Sequence, residues 1–516
     1  MKARYCILAA LCCLWPLHAQ SVDKTTGLSA GKQLYRSGQR SSGVDLTAYV
    51  GRAAIAMPAN SLPCVGCHGR DGKGRPEGGV KPSNINWSEL SKDYGGVSAG
   101  GRKFGKYNED SFLRAVTQGV DPAGNPLDSS MPRYNISRHD ARDLIAYLKH
   151  LENEYDPGIN NSEIVFVTLQ PQQGWEGKLG KLISTTLQAC FDDVNRQGGI
   201  YGRKLKLEEV AYKDAEDFDR VAKQTMAGEK HFAMLGSFSG SLDQRLTAQS
   251  EKLQIPSIAP FTNHLSALGN EHRYTFYLYG GIDTQIEVLL KQAVKDKVSS
   301  RYVILHRENS QYAGNARQAS AVLQRSGIKD VTILPYRLDK HDWVKRLNKT
   351  AEPVKLLFLG ASTEIIPVYD QLKSRLQVKS VYMPGMLVSS QILTAPAELA
   401  DKLVFAYQVT PDKTTNLNDF YGFMQRHNFG REGMSIRLFA YSAARVTIEG
   451  LKRSGKRLGR ENLITALEHL YEFDAGLSQP ISFGSSRRIG LRGAYIVKLD
   501  QQHKTLKPVS DWIALE

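Results

Sequence analysis

The segment Cys64-Val65-Gly66-Cys67-His68 constrains this chain more than any other feature of it. Two cysteines three apart on a tight turn face the same side, and the next residue lies beneath them. In that arrangement two thiols form thioether bonds to heme vinyl groups and the adjacent imidazole reaches the iron. A zinc site would need a second ligand pair, which the sequence does not supply. The reading is one covalently attached heme c, held by Cys64 and Cys67 with His68 on the metal.

Covalent attachment requires an oxidising compartment, and the amino terminus is consistent with export. Lys2 and Arg4 precede an apolar run from Cys6 to Leu17, and Ala19 ends a small-residue cleavage site, so residues 1–19 read as a signal peptide and the mature chain as periplasmic. The run is shorter than the ~20 residues a membrane span needs, and no later segment approaches that length, so no membrane span is expected. Cys6, Cys12 and Cys13 leave with the leader. Cys190 falls in a helical pattern with Ile183, Leu187, Phe191 and Val194, where a buried small apolar side chain is expected.

The net charge of +15 raises the question of a nucleic-acid partner, but its distribution argues against one. Residues 20–155 carry 18 basic and 14 acidic side chains and the remainder of the mature chain 47 and 38, so no tail or stripe concentrates the excess. The basic run from Lys452 to Arg460 reads as a solvated helix face and loop.

Around the heme motif, Ser29-Ala30-Gly31-Lys32-Gln33-Leu34-Tyr35 and the segment Ser137–Leu151 have the character of a first and a last helix. Ser137 with Asp140 forms a capping box, and Leu144, Leu148 and Leu151 form an apolar face. Residues 27–154 resemble a small class I cytochrome c, which implies an all-α domain in which Gly31 lets those two helices cross closely. Ser130-Met131-Pro132-Arg133-Tyr134 matches the Met-Pro-x-Tyr segment common in that family, which makes Met131 the expected sixth ligand. His139, in the capping turn, and His150, at the helix end, are its rivals. A His/Met iron has both axial positions filled, which favours electron transfer over catalysis at the metal.

Residues 155–162 are polar and rich in turn formers, and read as a linker. Beyond them short apolar runs (Ile164–Leu169, Leu205–Tyr212, Phe232–Leu235, Tyr302–Leu305, Val331–Leu334, Leu356–Leu359, Val381–Met383, Leu403–Ala406) alternate with helix-length segments. That alternation implies parallel sheets with helices on both faces. The length implies two α/β lobes with a cleft at the carboxyl ends of their strands.

The turn Asn195-Arg196-Gln197-Gly198-Gly199-Ile200-Tyr201-Gly202, the loop Leu235–Ser241, the segment Ile255–Asn263 and Gln311-Tyr312-Ala313-Gly314 together resemble the type I periplasmic solute-binding proteins of the leucine/isoleucine/valine type. The resemblance covers 163–516. It implies a first lobe of about 163–283 and 408–475 and a second of about 284–407 and 476–516.

In the loop Ser237–Ser241, after a strand and before a helix, free amides and the hydroxyls of Ser237, Ser239 and Ser241 would face the cleft and could hold an anion. The resemblance adds Phe261, Thr262, Tyr312 and Trp175 as ligand contacts. It implies a small polar or carboxylate-bearing solute and an ABC-type permease as partner. For the heme domain a periplasmic dehydrogenase or other redox protein is the expected electron partner, and no enzymatic activity is expected, since the sequence offers no nucleophile, metal cluster or second cofactor site. One departure stands out. Tyr382-Met383-Pro384-Gly385-Met386-Leu387 lacks the acidic residue that amino-acid binders aim at the substrate ammonium, and a buried cation without a counter-charge is costly. Glu364 is the nearest substitute.

Overall fold

The computed structural model describes residues 24–515 except 75, 77–78, 99, 263–264, 266–271, 297–299, 341, 348–349 and 410–416. The expected leader lies outside the described residues. The chain forms two compact units that divide between Glu154 and Tyr155. Among the described residues no helix is long and apolar enough to cross a membrane.

The first unit is helical, with Lys24–Ser37 packed on Arg138–Leu151. Gly31 makes that crossing possible: a Cβ there would stand 2.0 Å from the Asp143 carbonyl oxygen. The carboxy-terminal helix starts at the expected box, with the Ser137 hydroxyl accepting from the Asp140 amide at 3.1 Å and the Asp140 carboxylate accepting from the Ser137 amide at 2.7 Å. Leu144, Leu148 and Leu151 are buried in the core with Leu34, Tyr35 and Tyr147.

The sequence gives no sign of a small antiparallel sheet inserted before the heme motif. Strands Thr47–Val50 and Ile55–Pro58 form a hairpin, and Arg133–Tyr134 adds to its free edge, with Ala48 facing Met57 on one side and Tyr134 on the other. Strands of two to four residues are too short to show period-two patterning.

In the second unit an all-parallel sheet runs in the order Ile489–Leu491, Thr275–Tyr279, Ser257–Ile258, Ala233–Leu235, Glu163–Pro171, Lys204–Tyr212. A second, mixed sheet runs Val331–Tyr336, Arg301–Arg307, Thr350–Leu359, Leu376–Pro384, Leu403–Tyr407, Gly493–Asp500, Thr505–Pro508. Its first five strands are parallel, and Gly493–Asp500 runs against Leu403–Tyr407.

Two boundaries differ from expectation. The chain returns to the second sheet only after Leu491 rather than near 476, because Ile489–Leu491 pairs with Thr275–Tyr279, and Leu477, Ile481 and Phe483 lie in the first lobe's core. The segment read as a linker is built into the second unit. Ile159 is buried there, the Asp156 carboxylate accepts from the Arg460 amide at 2.7 Å, and the Arg203 guanidinium donates to the Asn160 carbonyl.

Candidate functional site

Two groups of side chains carry chemistry, one in each unit. In the first, Pro63 precedes the short helix Cys64–His68, and Gly69, at φ +76°, turns the chain out of it. Cys64 is half-buried against the core and Cys67 is exposed. Burial and the neighbouring Cys67 push the Cys64 thiol up to about 12.

His68 is buried, and its Nδ1 lies 2.9 Å from the Ser83 carbonyl oxygen. Only an N–H can pair with a carbonyl, so Nδ1 carries the proton and Nε2 keeps its lone pair, the form that ligates a metal. Burial lowers the pKa of His68 against the opposing pull of Ser83, which favours the neutral ring. The motif is held from behind by the Tyr35 hydroxyl, which donates to the Gly69 carbonyl at 2.6 Å. Leu62 and Val65, beside and within the motif, and Ile85, Trp87 and Leu127 elsewhere on the same core, remain only partly buried. A fixed lone pair, two thiols on one helical turn and an incompletely covered apolar wall fit a covalently attached heme.

Met131 is half-buried at the exit of a turn in which its amide donates to the Asp128 carbonyl at 3.2 Å. The rival histidines lie on the outside of the last helix. His139 is 82% exposed and pairs with Asp143, and His150 is exposed. Tyr134, three residues after Met131, donates to the Leu62 carbonyl at 2.5 Å. Burial first, and then the nearby Cys64 and Cys67, raise its pKa, so Tyr134, at the end of the strand Arg133–Tyr134, lies close to the attachment motif.

In the second unit the serine loop is bonded within its own lobe. A parallel bridge joins Phe238 to Phe261 beyond the strand ends, and two of the loop amides are taken up there. Phe238 N donates to the Leu169 carbonyl, and both Ser239 N and Gly240 N donate to the Phe261 carbonyl at 3.1 and 3.2 Å. Ser237, fully buried, accepts from the Leu169 amide at 3.1 Å. Ser239 donates at 2.8 Å to the buried Asp243 carboxylate, which also accepts from Tyr277 at 2.6 Å. An anion at this loop would therefore meet a carboxylate. Ser241 is exposed. Thr262 donates to the Gly240 carbonyl at 2.7 Å.

Phe261 is half-buried between Phe238 and Phe439, with ring centroids at 5.2 and 5.0 Å, and Phe439 in turn meets Tyr279 at 5.8 Å. Tyr279, at the end of its strand, buries its hydroxyl without a hydrogen-bond partner. Trp175 stands 69% exposed in the first turn of the helix Gly174–Arg196.

The carboxyl ends of the second sheet bring together residues that sequence reasoning did not single out. Arg307 and Tyr336 are the last residues of their strands, and both engage Glu364. Arg307 forms an ion pair with it, and the Tyr336 hydroxyl donates at 2.6 Å. Glu364 is buried, whereas the Arg307 side chain is 58% exposed. Burial first, and then Glu364, raise the pKa of Tyr336, so the phenol stays a donor. Gly360 is required here, since a Cβ would stand 1.8 Å from the Tyr336 oxygen. Tyr312 opens the neighbouring helix, half-buried and within electrostatic reach of Glu364. The available signal was positional: both missed residues end strands at the face where open α/β sheets bind ligands.

Comparison with known proteins agrees with this division. A family model described as cytochrome c matches residues 59–152, and one described as periplasmic binding protein matches residues 163–504. No curated protein matches the sequence. Among solved structures, a fatty acid ABC transporter substrate-binding protein from Thermomonospora curvata is 18% identical, covers 70% of this chain and 95% of its own, and has a TM-score of 0.54. A branched-chain amino acid ABC transporter structure from Thermus thermophilus with bound valine is 13% identical, covers 69% and 97%, and has a TM-score of 0.55. A type 1 periplasmic binding protein from Bordetella pertussis is 13% identical, covers 67% and 100%, and also has a TM-score of 0.55. At these identities the likeness is one of fold. With two thirds of its length matched by that family model, the chain belongs to the periplasmic binding proteins, and it carries a heme-implying cytochrome c domain ahead of the receptor.

Proposed function

We propose that this protein is a periplasmic carrier of single electrons joined to a solute receptor. The observation that carries the reading is His68, a buried imidazole whose Nδ1 is committed to Ser83 and whose Nε2 is left with a lone pair, directly after the two thiols. Bound there, a heme c supplies a one-electron couple. The chain's own part is to hold it through Cys64 and Cys67, to ligate with His68 and to close the sixth position with Met131. The solvent-facing placement of His139 and His150 supports that last assignment. A periplasmic dehydrogenase or another redox protein is the electron partner, and the protein acts as carrier and receptor rather than as an enzyme.

For the receptor we infer a carboxylate-bearing solute without an ammonium group. Glu364, the available counter-charge, is already engaged by Arg307 and Tyr336, so a substrate cation would have to break a formed pair. A solute carboxylate can add to the exposed Arg307 guanidinium without displacing Glu364, because Glu364 accepts from Nη1 only and a guanidinium offers further N–H donors. The Phe261, Phe439 and Tyr279 rings suit an apolar or aromatic body. This assigns the carboxylate to the second lobe rather than to the serine loop of the first. A second reading, a transport receptor feeding an ABC permease with the heme as accessory, is favoured by the longer family match of 163–504.

Native mass spectrometry of protein made in a host competent for heme attachment tests both halves. The expected result is the mass of one heme that survives denaturation, with a small acid as a dissociable adduct. Pigment removed by acid–acetone extraction would overturn the heme reading, and a co-purified amino acid would overturn the solute reading. Solute affinity unchanged by heme oxidation state would favour the transport reading.

A further inference from the structure

One side chain joins the entrance of the turn that carries Met131 to its exit. The Arg133 guanidinium donates through Nη2 to the carbonyls of Leu127 and Asp128, at 3.1 and 3.2 Å, and through Nη1 to the carbonyl of Met131 itself. The fork of one arginine therefore spans the loop from its entrance to the ligand residue. Only a planar group with several fixed donors can do this, and a lysine ammonium cannot reproduce it.

The fold makes room for this contact. A Cβ on Gly119 would stand 1.9 Å from the Arg133 Nε, and Gly119, at φ +74°, ends the preceding helix in the left-handed conformation that glycine adopts most readily. Beyond the clasp the loop is tied twice more. Arg133 and Tyr134 pair with Tyr49 and Ala48 of the inserted hairpin, and the Tyr134 hydroxyl reaches the Leu62 carbonyl two residues before Cys64. Asp128 turns its carboxylate to the Ser130 amide at 2.8 Å, which leaves its carbonyl to Met131 N and to Arg133.

We propose that Arg133 is the positioning residue for the sixth heme ligand: by clasping the Leu127, Asp128 and Met131 carbonyls it holds the loop closed and sets how often the methionine leaves the iron. The proposal rests on the Met131 reading given above. A loop held shut by hydrogen bonds from a charged donor opens rarely, and an external ligand can bind only in the open fraction, so its apparent affinity reports the clasp directly.

The test uses the full-length ferric protein with heme attached, titrated with imidazole while the thioether–iron charge-transfer absorption is followed. Wild type shows the band and binds imidazole weakly. Arg133→Gln keeps the band in the absence of imidazole but binds imidazole about tenfold more tightly or better, as expected for loss of at least one charge-assisted hydrogen bond. Arg133→Lys restores the charge but not the fork and stays close to the glutamine variant. Arg138→Gln, at an exposed ion pair with Asp110, matches wild type.

An Arg133→Gln protein with the wild-type imidazole affinity overturns the clasp, as does full rescue by lysine. If the glutamine variant does not take up heme, the lysine variant carries the same test, and wild-type affinity there overturns the clasp. A wild-type protein without the band overturns Met131 ligation, and the clasp with it.

Discussion

The heme crevice and the receptor face solve opposite problems. In the first unit one buried imidazole has a single committed nitrogen and one left over, and the apolar residues around the motif are only partly covered. In the second unit several polar groups near the strand ends are already paired with one another, Ser239 with Asp243 and Arg307 with Glu364. A site that keeps a permanent occupant can leave a lone pair and an apolar wall unmatched. A site that is emptied and refilled keeps its buried polar groups satisfied in both states, because an unmatched one costs about 1–3 kcal/mol each time it is exposed to the interior. The receptor's exceptions near the strand ends include the Tyr279 hydroxyl, the one buried phenol without a partner among the described residues, and the Gln170 amide oxygen.

Four experiments would sharpen or break this contrast. The largest effect is expected from Cys67→Ala together with Cys64→Ala. Covalent heme should disappear entirely from denatured protein, while solute binding by the receptor unit, measured calorimetrically, stays at wild type. Loss of both would show that the two sites are not independent.

Gly31→Ala should come next. Helix propensity favours alanine by up to ~1 kcal/mol, but the added carbon meets the Asp143 carbonyl at 2.0 Å and forces the helices apart. We expect a net loss of about 2 kcal/mol, read as a lower melting temperature of the heme unit alone.

Gly360→Ala is the receptor's counterpart. Its Cβ displaces the Tyr336 hydroxyl from Glu364, which should cost about 1–2 kcal/mol in the second unit and weaken solute binding, with the heme spectrum unchanged. A shifted spectrum would contradict the separation of the two sites.

The smallest effect is one of pH. Burial raises the Asp140 pKa, but hydrogen bonds from Arg40 and Ser137 outweigh it and leave the carboxyl below its ordinary value. A depressed carboxylate stabilises the fold above its unfolded pKa, about 4. That contribution is lost as the pH falls through the depressed value. Arg40→Gln should remove under about 1 kcal/mol at neutral pH and make acid unfolding of the heme unit less steep. An unchanged acid transition would show that the ion pair contributes nothing.

How much could be read in advance follows from how local each feature is. The attachment motif is five consecutive residues on one turn, and the capping box of Ser137 and Asp140 spans four, so both are visible in the sequence. The serine loop is less legible, because its Ser239 and Gly240 amides answer to Phe261, more than twenty residues downstream, and no local pattern announces that pairing. The late return to the second sheet depends on a three-residue strand, Ile489–Leu491, whose partner lies some two hundred residues upstream. Arg133 escaped notice for another reason. Its acceptors are backbone carbonyls, and these leave no trace in residue identity.

The hairpin before the motif bears on the order of assembly. Its strand Thr47–Val50 is completed by Arg133–Tyr134, so the two stretches of chain flanking the cysteines are stitched together only when the later one arrives. A polypeptide made amino terminus first presents residues 64 and 67 some seventy positions before the closing strand exists. The pairing that ties the two flanks together is therefore made after the cysteines are already in the chain, and a thioether formed in that interval precedes it.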